Sequence, residues 1–109
     1  MKKTMLAALM MSAFALQAYA ADTVKIAVTG PFTGGSAPMG VSMRDGAKLA
    51  IDEINRAGGI QVGAQKMQIE VIERDDEAKN ERGALIAQEL ASMNDLAGVI
   101  GTVNTGVCL

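Results

Sequence analysis

The sequence predicts an α/β protein built on a doubly wound parallel sheet. Three apolar segments with the character of strands alternate along the chain with two amphipathic helical segments. A helix that crosses over the sheet returns the chain to the same end, so strands joined in this way are parallel. Glycine-rich segments follow the first and third strands, at Gly30–Gly40 and Gly101–Gly106. We expect the first strand to lie between the other two, which places both segments at one edge of the sheet.

The first twenty residues have the three parts of a secretory signal peptide. Lys2 and Lys3 give a positive start, an apolar run extends from Met5 to Leu16, and small residues form an A-x-A site that ends at Ala20. The alternative is an uncleaved membrane anchor, because the uncharged stretch is near the lower limit for spanning a bilayer. The cleavage site favours export to the periplasm, with no stable membrane insertion after cleavage.

The mature chain, residues 21–109, is mildly acidic. Removal of the two amino-terminal lysines changes the net charge from −2 to −4, and the chain contains no histidine. Nucleic acid is not an expected partner, because no basic face is present to neutralise phosphates. A Ser-His-Asp triad or a histidine-ligated metal site cannot be built from these residues. The only cysteine, Cys108, is either a buried apolar thiol, which we favour, or half of a bridge to a partner beyond Leu109.

The first strand is predicted over Val24–Thr29, where both faces are apolar, as in a strand covered on two sides. The first helix is predicted to start near Val41 and to stop at Gly58-Gly59, where glycine supplies a left-handed residue. Its apolar stripe consists of Met43, Ala47, Ala50, Ile51 and Ile54. This spacing is that of an amphipathic helix.

The second strand is predicted to follow a linker over residues 60–66 and to end at Asp75-Asp76. Alternating apolar and polar residues indicate that this strand is partly exposed and lies towards the edge of the sheet. The two aspartates are either paired carboxylates for metal or acid–base chemistry or part of a solvated turn between strand and helix, and we favour the turn.

The second helix is predicted over Lys79–Met93, with Asn80 or Asp76 as its cap. Its apolar face consists of Gly83, Ile86, Ala87, Leu90 and Met93. The third strand, Leu96–Ile100, is apolar throughout and is predicted to be fully buried.

The two glycine-rich segments differ in the ligand chemistry that their residues favour. Gly35–Ser42 has the spacing of a phosphate-binding loop, but Val41 stands where the lysine is required, and no G-x-G-x-x-G follows the first strand, so nucleotide binding is disfavoured. In the other segment, Thr102, Asn104 and Thr105 bring hydroxyl and amide groups to the predicted edge. Such donors suit a small carboxylate, although they equally suit a turn that bonds its own backbone.

Four segments carry a resemblance to a known family: VKIAVTGPFTGGSAPMG, GAKLAIDEINRAGGI, MQIEVIERDDEAKN and GVIGTVNTG. Together they resemble the amino-terminal lobe of branched-chain amino acid type periplasmic binding proteins, the type I substrate-binding receptors of ABC importers. The resemblance implies a two-lobed protein that closes on a ligand in its hinge cleft, without enzymatic activity and without a cofactor. Residues 21–109 would form a partial amino-terminal lobe with weak or no independent folding, because its core is marginal and one sheet edge is exposed.

The resemblance also implies which residues bind the ligand. Val103, Asn104 and Thr105 would hold a carboxylate through backbone amides and a hydroxyl, and Met39 would form a wall of the pocket. Asn104-Thr105-Gly106 departs from the serine-rich run common in leucine-type members. The implied function is delivery of an amino acid or related small organic anion to the permease subunits of an ABC importer. The alternative is a ligand-sensing regulatory domain of the same fold.

Overall fold

The structure is a computed structural model that describes residues 23–109. The predicted signal peptide, residues 1–20, lies outside the described residues. The helices and strands in chain order are β1 (Thr23–Gly30), α1 (Ala37–Arg56), β2 (Ile60–Val62), β3 (Gln65–Asp75), α2 (Asn80–Ala91), β4 (Leu96–Ile100) and α3 (Thr105–Cys108). None of the described helices is long and apolar enough to cross a membrane.

The sheet has the strand order β2-β3-β1-β4. β1 pairs in parallel with β3 on one side and with β4 on the other, which confirms the predicted place of the first strand. The predicted linker over residues 60–66 is wrong, because Ile60–Val62 pairs antiparallel with the start of β3 in a hairpin that turns at Gly63. All three residues of β2 are exposed, so this strand has no buried face to produce an alternating pattern.

Helices cover both faces of the sheet. Ala27 and Val28 are fully buried neighbours in β1 and therefore point to opposite faces. Ile86 of α2 packs against Ala27. On the Val28 side, Lys48 of α1 pairs with Glu73 of β3 at 2.7 Å. This two-sided cover confirms the doubly wound arrangement, with the core divided between the two faces.

α1 begins earlier than predicted, whereas α2 begins close to the predicted residue but with a different cap. α1 begins at Ala37 rather than near Val41, because Pro38 lies in its first turn, where the fixed φ of proline favours a helix and no N–H is needed. α2 begins at Asn80, and its cap residue is Lys79, which makes no capping hydrogen bond through its side chain. The predicted caps are therefore wrong.

Two burial predictions at the end of the described chain are also wrong. β4 is not fully buried, since Val99 is 49% exposed and Ile100 is 39% exposed. Within residues 23–109 this strand pairs only with β1, which leaves its outer edge open. Cys108 is exposed rather than buried. It lines an apolar groove of about 460 Å³ between α2 and β4.

Candidate functional site

Three connections meet at the carboxyl edge of the sheet, because β1, β3 and β4 are parallel. We call residues 31–36 the first loop, residues 75–79 the aspartate turn and residues 101–104 the second loop. They follow β1, β3 and β4, respectively. The sequence predicts Gly30–Gly40 and Gly101–Gly106, which contain the first and second loops, as the walls of a cleft. The structure places the aspartate turn beside both loops.

The first loop is fixed by a close approach between its start and the first turn of α1. Pro31 is buried, and a Cβ atom at Gly40 would overlap the Pro31 carbonyl oxygen. Further along, the guanidinium of Arg44 lies over the ring of Phe32, 5.1 Å from its centroid. Only glycine at residue 40 lets the first turn of α1 lie this close to Pro31.

Asp75 holds the first loop through hydrogen bonds to its carboxylate. Oδ1 accepts from the backbone N–H of Phe32 at 2.8 Å and from that of Glu77 at 2.9 Å. Oδ2 accepts from the Thr33 hydroxyl at 2.6 Å. Partial burial acts to raise the pKa of Asp75, but these hydrogen bonds to the charged form outweigh it and hold the pKa below its ordinary value.

Asp76 is completely buried and reaches the second loop. Its carboxylate accepts from the backbone N–H of Ala78 at 2.8 Å and from the Thr102 hydroxyl at 2.9 Å. Its own N–H donates to the carbonyl of Gly30 at 2.9 Å. The two aspartates do lie in a turn between strand and helix, as predicted, but the turn is not solvated, because both carboxylates accept hydrogen bonds from the neighbouring loops. The signal in the sequence was the position of Asp75-Asp76 at a strand end, because loops at a shared strand edge need acceptors for their N–H groups.

The second loop begins with a contact that requires glycine. Gly101 has a φ of +145°, and a Cβ atom there would overlap the carbonyl oxygen of Thr29. The loop then crosses towards the first loop, where Asn104 donates from Nδ2 to the Ser36 hydroxyl at 3.3 Å. The Oδ1 atom of Asn104 is buried and has no hydrogen-bond partner among the described residues. The two predicted walls are thus in direct contact.

The predicted ligand-binding residues lie around this contact. Met39 is in the first turn of α1 and is 59% exposed, and it lies three residues after Ser36 on the same side of the helix. Val103 and Asn104 are half-buried, and Thr105 is exposed at the start of α3. Within residues 23–109, no hydrogen bond is donated by the backbone N–H groups of residues 103–105. The ligand-binding roles of these residues stay predictions.

The described residues contain no group of three or more acidic, cysteine or histidine side chains that could hold a metal ion. The carboxylates of Asp75 and Asp76 instead accept hydrogen bonds from groups within the protein. The contact between the walls is made by two neutral groups, the Asn104 amide and the Ser36 hydroxyl. The N–H groups of residues 103–105, which donate no hydrogen bond within residues 23–109, would suit an anionic ligand.

Acid is expected to loosen the first loop through Asp75. A carboxyl group whose pKa is lowered by folding stabilises the folded protein above its unfolded-state pKa, about 3.9, and loses this contribution as the pH falls through the lower, folded-state pKa. We expect Asp75→Asn to cost about 1 kcal/mol of unfolding free energy near pH 7, with the cost shrinking below about pH 4. Urea unfolding of the full-length protein at several pH values measures it. A cost that stays constant down to about pH 3 would contradict this role of the charge.

Comparison with known proteins gives a consistent result. A family model described as periplasmic binding protein matches residues 23–109. The chain is 40% identical over 86 residues to the leucine-, isoleucine-, valine-, threonine-, and alanine-binding protein of Pseudomonas aeruginosa, a match that covers 79% of this chain and 22% of that protein.

Two solved structures extend the comparison. The substrate-binding protein LivJ of a Streptococcus pneumoniae branched-chain amino acid transporter, in complex with isoleucine, matches with a TM-score of 0.72 and 32% identity, over 80% of this chain and 24% of that chain. A solute-binding protein of an ABC transporter from R. palustris, in complex with benzoate, matches with a TM-score of 0.64 and 25% identity, over 80% and 22%. The chain therefore spans less than a quarter of the length of these proteins.

Proposed function

Because the chain belongs to the periplasmic binding protein family, we propose that it is a substrate-binding receptor that delivers an amino acid or related small organic anion to an ABC importer. The proposal draws on two similar proteins, one named for binding five amino acids and one with isoleucine bound. The permease subunits of the importer would be its protein partners. The receptor binds and releases its ligand without chemical change, so it is not an enzyme.

The proposal includes a location and a domain assignment. Residues 1–20 would direct export and be removed, which leaves the mature chain in the periplasm. Residues 21–109 would form part of the amino-terminal lobe of a two-lobed protein. The family match over residues 23–109, together with the small share of each relative that is covered, supports this assignment.

The contact between the two walls is the observation that carries the proposal. The hydrogen bond from Asn104 to Ser36 places the second loop beside the first turn of α1. The N–H groups of residues 103–105 donate no hydrogen bond within residues 23–109, so they and the Thr105 hydroxyl would be available to a ligand, with Met39 in the first turn of α1 as a wall of the pocket. A carboxylate accepts several hydrogen bonds at once, so it is the ligand group that these donors suit best.

The sequence of the first loop and the start of α1 favours a carboxylate over a phosphate. The phosphate-binding spacing that includes Gly35 and Ser42 puts Val41 where a lysine would neutralise the phosphate charge. In the structure these residues lie on the first loop and α1. Transfer of a singly charged carboxylate from water to neutral donors costs less desolvation free energy than transfer of a doubly charged phosphate.

Thermal unfolding of the full-length protein tests the ligand class. We expect isoleucine or another amino acid, at about one hundred times its dissociation constant, to stabilise the protein by about 2.7 kcal/mol, which raises Tm by about 2–4 °C for a protein of a few hundred residues. The shift in Tm with benzoate measures whether aromatic acids also bind. Isoleucinamide, which lacks the carboxylate, is the matched control and should leave Tm unchanged. Equal shifts with isoleucine and isoleucinamide, or no shift with any acid, would argue against the proposal.

Thr105 gives a test at a single residue. We expect Thr105→Val, which removes the hydroxyl and keeps the shape, to weaken binding of isoleucine at least about tenfold, because a hydrogen bond to a charged group is lost. Thr105→Ser keeps the hydroxyl and should bind like the unchanged protein. Titration calorimetry measures both. Equal affinities for the two variants would remove the hydroxyl from the binding site.

A further inference from the structure

The aspartate turn has an unusual backbone. Glu77 and Ala78 have φ values of 53° and 58°, so two successive residues with side chains adopt the left-handed conformation. Each such residue costs about 1–2 kcal/mol outside glycine. A conformation of this kind persists only where its surroundings determine it, and such positions concentrate at functional sites. The N–H groups of these two residues donate to the carboxylates of Asp75 and Asp76.

Each carboxylate also holds a different wall of the cleft. Asp75 accepts from Phe32 and Thr33 of the first loop. Asp76 accepts from Thr102 of the second loop. The two aspartates are adjacent in the chain, so a single peptide unit connects the anchor of one wall to the anchor of the other.

From this geometry we propose that Asp75 and Asp76 are positioning residues that fix the two walls relative to each other, and that the Thr102 hydroxyl serves this purpose rather than ligand binding. The proposal rests on the function proposed above, because it assigns a role in the same cleft. Asp76 is fully buried, so a carboxylate oxygen that lost Thr102 would stay without a partner. The turn would then shift to reach water, and the first loop would shift with it.

A shift of the walls should weaken binding, because several hydrogen bonds to one carboxylate require precise geometry. A displacement of about 1 Å between the walls misaligns several hydrogen bonds to one carboxylate. Loss of the Thr102 hydroxyl should therefore weaken binding although this hydroxyl does not touch the ligand. It should also loosen the first loop, to which the Thr102 hydroxyl donates no hydrogen bond in the described residues.

Two variants of Thr102 in the full-length protein test the inference. Thr102→Val removes the hydroxyl and keeps the shape, whereas Thr102→Ser keeps the hydroxyl. For Thr102→Val we expect the dissociation constant for isoleucine to rise about tenfold, and the amide of Phe32 to exchange with solvent about tenfold faster. Thr102→Ser should behave like the unchanged protein in both measurements.

Thr23→Val is a matched control. The Thr23 hydroxyl also donates to a carboxylate, that of Glu70 at 3.1 Å, but at the opposite end of β1. This change should alter neither isoleucine binding nor exchange at Phe32.

Three outcomes separate this inference from the proposed function. Wild-type affinity in Thr102→Val would overturn the positioning role, whether or not exchange at Phe32 changes, because the turn would then serve stability alone. Weakened binding without faster exchange at Phe32 would also overturn it, since Thr102 would then act directly on isoleucine. If the unchanged protein does not bind isoleucine while Thr102→Val still accelerates exchange at Phe32, the amino acid proposal fails and the coupling of the walls stands.

Discussion

Gly40→Ala is expected to lower the unfolding free energy of the full-length protein by about 3 kcal/mol and to remove measurable isoleucine binding. The added Cβ atom would overlap the carbonyl oxygen of Pro31 and come within 2.7 Å of its carbonyl carbon. These are backbone atoms of a buried residue, so no side-chain rotation relieves the clash. The first turn of α1 must move away from β1, and it carries Met39 with it.

Gly46→Ala is the matched control for this prediction. Gly46 lies in the same helix, and a Cβ atom there meets no other atom within 4 Å. Alanine is favoured over glycine inside a helix, so this change should raise the unfolding free energy by about 0.5–1 kcal/mol. Urea unfolding measures both variants. A stabilised or unchanged Gly40→Ala protein would show that the approach between α1 and Pro31 is not fixed.

The order of the parallel strands was predictable because it depends on local patterns. The apolar run of Val24–Thr29 and the helical spacing around Ile51 are visible within a few turns of chain, and the short connections between elements limit the topology. β2 was not predictable in the same way. Its residues are exposed, and within residues 23–109 the strand pairs with β3 alone, which the pattern of burial does not reveal.

The meeting of the two glycine-rich segments was predictable, but the hydrogen bonds that connect them were not. Both segments follow the carboxyl ends of parallel strands, which is enough to place them at one edge of the sheet. The hydrogen bond between Asn104 and Ser36 joins residues 68 positions apart, so no local pattern in the sequence indicates it. The burial of Asp76 depends in the same way on a distant partner, Thr102. Asp75-Asp76 stand among other charged residues, a pattern that is typical of a solvated turn. Their hydrogen bonds to the two loops become visible only in the folded structure.

Residues 21–109 produced alone are expected to lack a cooperative thermal transition. The described core contains few large buried side chains, among them Val28, Ile51 and Leu90. Domains of this size bury only about 60% of the surface of their unfolded chain, which leaves little stability to lose. Here several large apolar side chains also stay exposed, including Leu49 and Leu85.

The open edge of β4 adds a second reason for this expectation. Val99 and Ile100 are exposed on a strand that pairs only with β1 in the described residues, and such an edge invites association with other chains. Circular dichroism on heating and the dispersion of amide NMR signals measure the outcome. Val99→Lys separates the two causes, because a lysine at the edge suppresses association without adding core. If Val99→Lys melts cooperatively with dispersed signals, association rather than core size limits the isolated polypeptide; if the unchanged polypeptide does so, the expectation is wrong.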